Sequence, residues 1–120
     1  MKQLIISINQ FEIWIADLNP TIGTEAGKTR PVVIVQTNLL NKTNHPSTLI
    51  CPITTKIQPD VTLLRIHLKK GAAGLLKDSD VMVDQIRVID NKRLIKKLGK
   101  MNANQINKLK ANLTIILDLA

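Results

Sequence analysis

A polar loop that runs into a strand is the segment of this sequence best suited to act on a phosphate. Residues 23–29 combine two glycines, a carboxylate and a lysine, and Arg30 and Pro31 join them to the β-branched run at residues 32–35. Such a run is typical of a buried strand, and proline fixes φ where the strand begins. Arg30 therefore has a defined position from which its guanidinium can present paired N–H groups to phosphate oxygens. The alternative is a surface loop whose charges are only solvated.

A second candidate is a hydroxyl at the end of another apolar run. Thr54 follows residues 49–53 and precedes Thr55 and Lys56. A hydroxyl at a strand end can point at a ligand. Threonine is also common in strands because its branched side chain packs well there, so Thr54 taken alone favours a packing role.

A carboxylate and an amide interrupt a third apolar run. Asp84 and Gln85 lie inside residues 81–89, where polar groups are unfavourable unless they face solvent or have hydrogen-bond partners. Adjacent residues of a strand face opposite sides, so at most one of the two is deeply buried. Arg87 shares the parity of Gln85 and is expected on the same face. The interruption is better evidence for a site than either residue type alone.

Composition limits the class of protein. Hydrophobic residues make up 44% of the 120 residues, which is typical of one globular domain, here residues 1–120. Lys and Arg outnumber Asp and Glu by 17 to 9, and this net charge of +8 favours a polyanionic partner such as nucleic acid, although ordinary solubility charge would look the same.

Cys51 is the single cysteine, so no disulfide can form within one chain. The apolar stretch at residues 4–8 is too short for an export signal, and we expect a cytoplasmic protein without a membrane span.

Hydrophobic periodicity predicts several short strands followed by one helix. The predicted strands cover residues 11–16, 32–37, 48–54, 62–68, 81–89 and 96–100. Residues 38–47 are predicted to be turns and residues 77–80 a polar connection, and Pro52 indicates an edge strand or a bulge. Asn102 is a plausible N-cap for a helix that extends through Leu119. The predicted fold is α+β and mainly β, a small antiparallel barrel with the C-terminal helix packed against it.

Three segments, taken in this order, resemble the MazF/PemK toxin family. They are residues 12–20 with 23–25 and 28–35, residues 51–54, and residues 84–87 with 89–90. The resemblance extends from about Gln10 to Leu119. Its most specific parts are the Arg30-Pro31 strand start and the Asp-Gln-Ile-Arg segment at residues 84–87.

The resemblance implies the toxin of a type II toxin–antitoxin system. It implies a barrel like that of Src-homology-3 domains, assembled as a homodimer. The implied activity is a sequence-specific mRNA interferase, an endoribonuclease that needs neither metal nor cofactor. It cuts single-stranded RNA and leaves 2′,3′-cyclic phosphate and 5′-hydroxyl ends. The implied inhibitor is a MazE-like antitoxin with an acidic, partly disordered C-terminal segment, and the charge of +8 suits both partners.

The resemblance also implies roles for individual residues. Arg30 matches the catalytic arginine that stabilises the phosphate, and Thr54 matches the catalytic threonine. Glu25 matches a carboxylate that accepts a proton or holds Arg30 in place. The residues expected to contact RNA are Thr24, Lys28, Thr55, Lys56, Asp84, Gln85 and Arg87. Asp84 and Gln85 either read base edges or support Arg30, and the general acid and base are not assigned, since some relatives carry serine or histidine at Thr24.

A binding function is the main alternative to catalysis. CcdB-type toxins resemble this fold but inhibit DNA gyrase by binding it, and a non-catalytic RNA-binding barrel is a further possibility. The combination of Arg30 and Thr54 favours the enzyme, because a pure binder needs neither.

The remaining polar features are weaker candidates. Residues 26–29 end like a phosphate-binding loop but lack its upstream glycine and following helix. His45 and His67 are expected in surface or packing roles. A basic cluster either contacts phosphates or is solvated, and comprises Lys92, Arg93, Lys96, Lys97 and Lys100. With Phe11 and Trp14 as the only aromatic residues, base stacking is limited, so sequence choice is expected to depend on the loops at residues 38–47 and 56–61.

Overall fold

The structure is a computed structural model that describes residues 7–119, so most of the stretch at residues 4–8 lies outside the described residues. The described chain forms seven strands: β1 Glu12–Asp17, β2 Thr29–Ile34, β3 Ser47–Thr54, β4 Arg65–Leu68, β5 Ser79–Met82, β6 Arg87–Asp90 and β7 Leu94–Lys100. The helices are α1 Asn38–Asn41 and α2 Ala103–Ile116. Short 3-10 turns occupy Ala72–Gly74, Val83–Gln85 and Asn91–Arg93. No helix among residues 7–119 combines the length and the apolar composition needed to cross a membrane.

All strand pairs are antiparallel, and the strand order is β4-β5-β3-β2-β1-β7, with β6 added beside β3. The mainly β fold with a C-terminal helix is therefore confirmed. The two ends of the order, β4 and β7, do not pair with each other among residues 7–119, so the sheet is not hydrogen-bonded into a closed barrel.

Strand β3 is the centre of the sheet, because β2 pairs with one side of it while β6 and β5 pair with successive parts of it. The β6 pairing ends at Ile50 and the β5 pairing begins at Ile53. Pro52 lies between these two, where β3 changes partner. Of the two alternatives predicted for Pro52, an edge strand or a bulge, the edge strand is wrong, because β3 has partners on both sides and Pro52 lies at the gap between β6 and β5.

The sheet buries side chains on both faces, which explains its nearly continuous apolar runs. On one face Ile13 and Val33 pack in a cluster that includes Leu109 of α2. On the other face Trp14 and Val32 belong to a second cluster. Both faces of β1 and β2 are thus anchored, and the loop that joins these strands starts and ends at fixed points.

Several predicted boundaries are wrong. The strand predicted at residues 81–89 is two strands separated by the turn Val83–Gln85, because Val83 packs into the core from that turn. The polar residues 79–80 belong to β5, and only Arg65–Leu68 of the predicted 62–68 strand pairs. Residues 38–41 form α1 inside the predicted turn region. Asn102 caps α2 as predicted, but the helix ends at Ile116.

Candidate active site

Arg30 lies at the start of β2 and links the preceding loop to the end of β3. Its Nε donates a hydrogen bond to the Gly27 carbonyl at 2.6 Å, and its Nη1 donates to the Ile53 carbonyl at 3.4 Å. The side chain is half-buried, and burial lowers the pKa of the guanidinium. Among residues 7–119 no carboxylate lies within ion-pair distance of Arg30. Its charge is therefore oriented by backbone carbonyls and left available to an anion.

Thr54 is the last residue of β3. Arg30 Nη1 donates to the carbonyl of Ile53, the residue before Thr54, which places the guanidinium at this end of β3. The Thr54 hydroxyl accepts a hydrogen bond from the Lys56 amide at 3.1 Å. That bond fixes the oxygen and leaves the hydroxyl proton available to a phosphate oxygen.

The loop at residues 23–27 is held by two side chains from the segment that follows β5. Gln85 accepts from the Ala26 amide at 3.3 Å and donates to the Thr24 carbonyl at 3.2 Å. Arg87 donates to the Ala26 carbonyl at 3.3 Å, and its guanidinium lies 3.9 Å from the Glu25 carboxylate. Since Arg30 binds the same loop at Gly27, the three side chains fix its backbone together. Glu25 is thereby paired with Arg87 and not with Arg30.

Gly27 makes the close packing of this loop possible. A Cβ atom built at that residue would lie 1.5 Å from the Thr21 hydroxyl oxygen. Any larger residue would displace the loop and with it the carbonyl that orients Arg30.

The other predicted RNA contacts are exposed around these anchored groups. Thr24, Lys28, Thr55, Lys56 and Asp84 are all exposed. The Lys28 backbone is fixed by Asn19 and Leu18, while its side chain is exposed to solvent. The structure thus separates the predicted residues into a group that holds the loop and a group that is accessible to a ligand.

The basic cluster at residues 92–100 also includes side chains that make contacts within the protein. The Lys97 ammonium lies 2.8 Å from the buried carboxylate of Glu12, and Arg93 donates to the carbonyls of Asp17 and Asn19. Burial opposes ionisation of Glu12, but hydrogen bonds from Lys97, Trp14 and Asn9 outweigh it and lower its pKa. Two members of the cluster therefore contribute to the structure. Among residues 7–119 no group of three or more His, Cys, Asp or Glu side chains is placed to hold a metal ion.

A buried carboxylate that the sequence pattern does not predict lies next to Thr54. Asp80 is paired with Thr54 in the β3–β5 register and is fully buried. It contacts Arg65 and His67 of β4. The sequence does contain a signal for this cluster, since Arg65 and His67 alternate in a strand and therefore lie on one face. The prediction of a connection at residues 77–80 hides it, because Asp80 belongs to the opposing strand β5.

The chain is similar to a known protein family over most of its length. The family of PemK-like, MazF-like toxins of type II toxin–antitoxin systems matches residues 9–117. The chain belongs to this family. The resemblance inferred from residues 84–87 and the Arg30-Pro31 strand start is confirmed.

Relatives of the MazF/PemK family match the chain over nearly its whole length. The endoribonuclease EndoA of Bacillus subtilis is 30% identical over 112 residues, which is 93% of this chain and 96% of EndoA. The MazF crystal structure from Deinococcus radiodurans superposes with a TM-score of 0.79 at 18% identity, covering 94% of this chain and 98% of that one. A mycobacterial endoribonuclease in complex with its cognate antitoxin gives a TM-score of 0.74 at 19% identity, covering 95% and 96%. At these identities the two structures support the fold alone.

Proposed function

We propose that this MazF/PemK family toxin is a sequence-specific endoribonuclease that cuts single-stranded RNA without a metal ion or cofactor. The observation that carries the proposal is the half-buried guanidinium of Arg30, which has no carboxylate partner among residues 7–119 and donates to the carbonyl of Ile53, next to Thr54. The identity of 30% to the endoribonuclease EndoA supports the same activity.

The proposed reaction is an internal phosphoryl transfer. The ribose 2′-oxygen forms a bond to the adjacent phosphorus while the bond from phosphorus to the 5′-oxygen breaks. The 2′-hydroxyl loses its proton, the leaving 5′-oxygen gains one, and the products carry 2′,3′-cyclic phosphate and 5′-hydroxyl ends. Because DNA has no 2′-hydroxyl, the chemistry itself selects RNA.

Arg30 and Thr54 would act on the charge that develops at the phosphate. Negative charge grows on the non-bridging oxygens in the transition state, and oriented donors stabilise it without reorganisation. The carbonyls of Gly27 and Ile53 provide that orientation for Arg30. The Thr54 hydroxyl would donate to a phosphate oxygen or to the leaving oxygen. Glu25 is the carboxylate proposed to take the proton of the 2′-hydroxyl, and the guanidinium of Arg87 lies 3.9 Å from it.

RNA would contact the exposed residues around this centre. Thr24, Lys28, Thr55, Lys56 and Asp84 are available for backbone and base contacts. Gln85 and Arg87 contact the backbone of the loop at residues 23–27, which supports a positioning role for both. The loops at residues 38–47 and 56–61 remain the proposed source of sequence preference.

The proposed partners follow from the family and from charge. We expect a homodimer in the cytoplasm that is inhibited by a MazE-like antitoxin with an acidic segment. The mycobacterial relative in complex with its cognate antitoxin supports this partner, as does the net charge of +8.

The test uses purified, antitoxin-free protein and a long single-stranded RNA in EDTA at low salt. We expect discrete cuts with cyclic-phosphate ends. A second RNA carries a single 2′-deoxynucleotide at one mapped cut, and cleavage should disappear there while other sites are cut as before. If the folded protein cuts no RNA but inhibits DNA gyrase, the function is that of a binding toxin instead.

A further inference from the structure

We propose that Arg65, His67 and Asp80, which we name the Asp80 cluster, position the 56–61 loop beside Thr54 and thereby set the RNA sequence preference of the enzyme. The inference rests on the proposed endoribonuclease function. None of the three residues is needed for the chemistry described above, and the sequence analysis assigned none of them to the site.

The cluster is centred on a carboxylate that receives three donors. The Gln58 amide donates to Asp80 Oδ2 at 2.8 Å. Arg65 Nη1 donates to the same oxygen at 3.2 Å, and His67 Nδ1 lies 2.6 Å from Oδ1. Burial alone would raise the pKa of Asp80, but the bonds from Gln58 and His67 and the charges of His67 and Arg65 outweigh it and lower the pKa. Asp80 is therefore an ionised, fully buried anchor.

Each cation of the cluster also binds the loop itself. Arg65 Nη1 donates to the Lys56 carbonyl at 3.3 Å, and His67 Nε2 lies 2.7 Å from the Val61 carbonyl. Both ring nitrogens of His67 thus face oxygen acceptors, and only the imidazolium can donate to both. The hydrogen bond to Asp80 raises the pKa of His67, which also favours the imidazolium.

The 56–61 loop is an exposed segment held by polar contacts. Every residue from 56 to 61 is exposed, Ile57 and Val61 to 41% and 37%, and within the loop the Val61 amide donates to the Gln58 carbonyl at 3.0 Å. The polar contacts of the cluster reach its first, third and last residues, Lys56, Gln58 and Val61. Thr54 adds a contact at the same end, since its hydroxyl accepts from the Lys56 amide. The loop and the catalytic hydroxyl therefore share one set of contacts.

An ion cluster around a buried carboxylate is better suited to fixing a geometry than to stabilising the fold. Removing the Asp80 carboxylate from water is unfavourable, and its attraction to Arg65 and to the partly exposed His67 returns about the same free energy. The group therefore adds little net stability while it selects one loop conformation. Exposed side chains on a fixed loop can discriminate between bases, whereas a mobile loop cannot, because ordering it on binding would offset the contacts.

The decisive variant is Asp80→Asn, which preserves the size of the side chain and removes its charge. We expect hydrogen exchange of the Gln58 amide to accelerate by about tenfold or more, since a charge-assisted bond is lost. We also expect the ratio of cleavage at the preferred site to cleavage at single-base variants of that site to fall, with KM changing more than kcat. Asp78→Asn is the matched control, because Asp78 is exposed and accepts a hydrogen bond from the Lys70 amide that asparagine can also accept.

A second variant covers the case in which Asp80→Asn does not fold. His67 is partly exposed, and in His67→Asn the amide can still donate toward Asp80 but cannot reach the Val61 carbonyl. It therefore releases the loop while the buried carboxylate keeps its partner. The same loss of sequence preference is expected.

Two results would overturn the inference. One is unchanged Gln58 exchange in the folded variants. The other is faster exchange accompanied by an unchanged cleavage pattern and an unchanged KM, which would make the cluster purely structural. Wild-type protein that cuts no RNA overturns the proposed function instead, and the exchange of Gln58 still decides whether the cluster holds the loop.

Discussion

Replacement of Gln85 by alanine should loosen the loop at residues 23–27 without changing which sequences are cut. Gln85 makes two hydrogen bonds to the backbone of that loop, at Thr24 and Ala26. Each contributes about 0.5–1.5 kcal/mol net, so Gln85→Ala removes about 1–3 kcal/mol from the ordered loop. At about 1.4 kcal/mol per factor of ten, the equilibrium constant for loop opening should rise roughly 5- to 150-fold.

The assay is hydrogen exchange of the Glu25 amide. This amide donates to the Ile22 carbonyl within the loop and makes no bond to Gln85, so it reports loop order and not the deleted contact. RNA cleavage should slow by up to the same factor at every site, because an open loop withdraws the Gly27 carbonyl that orients Arg30.

Gln85→Glu is a matched control for this prediction. Its carboxylate can still accept from the Ala26 amide, but its second oxygen faces the Thr24 carbonyl and repels it. We expect an intermediate effect on Glu25 exchange. Unchanged exchange in Gln85→Ala would refute the proposed support of the loop, and an altered cleavage sequence would show that Gln85 reads a base.

Three further predictions concern stability, thiol reactivity and pH. Leu109→Ala should lower the free energy of unfolding by about 2–5 kcal/mol in urea denaturation, because Leu109 is fully buried in the core cluster between the sheet and α2. The Cys51 thiol should not react with a thiol reagent at pH 8 until the protein unfolds, since burial raises its pKa to about 12. The stability difference between wild type and His67→Gln, measured as a function of pH, should be largest between the ordinary pKa of Asp80, 3.8, and that of His67, 6.5. The contribution of Asp80 is lost as pH falls through its lowered pKa, and that of His67 as pH rises through its raised pKa.

Each of the three has an outcome that would contradict it. A Leu109→Ala loss below about 1 kcal/mol would place that side chain outside the core. Rapid labelling of Cys51 in the native protein would mean that β3 is accessible. A stability difference for His67→Gln that grows above pH 8 would have the wrong sign for a histidine bound in its charged form.

The sequence predicted those parts of the fold that depend on local patterning. β2 could be found because a β-branched run follows a polar loop, although it spans Thr29–Ile34 and not the predicted residues 32–37. α2 could be found because Asn102 precedes a helical period. The prediction of one strand at residues 81–89 is wrong because of tertiary packing. Val83 is buried in the core from a 3-10 turn, and a buried apolar side chain gives the same sequence pattern there as it would in a strand.

The sequence proposes residues for the candidate site but not the contacts among them. Arg30 and Thr54 were identifiable because each stands where an apolar run meets a polar segment. Gln85 and Arg87 bind loop residues about sixty positions earlier in the sequence. No local sequence pattern predicts such a pairing. Asp80 was missed for the same reason, since its role depends on two side chains of a neighbouring strand.

The measurement that tests the account most directly is the cleavage rate of one mapped RNA site by wild type and three variants. Arg30→Ala should lose about 10²- to 10³-fold, as expected for an oriented donor that stabilises developing charge. Thr54→Val should also lose activity while it keeps its packing. Lys108→Ala is the matched control, because it removes one exposed positive charge on α2 and should leave the rate nearly unchanged. If folded Arg30→Ala cuts the site as fast as wild type, Arg30 does not stabilise the phosphate, and the proposed active site is wrong.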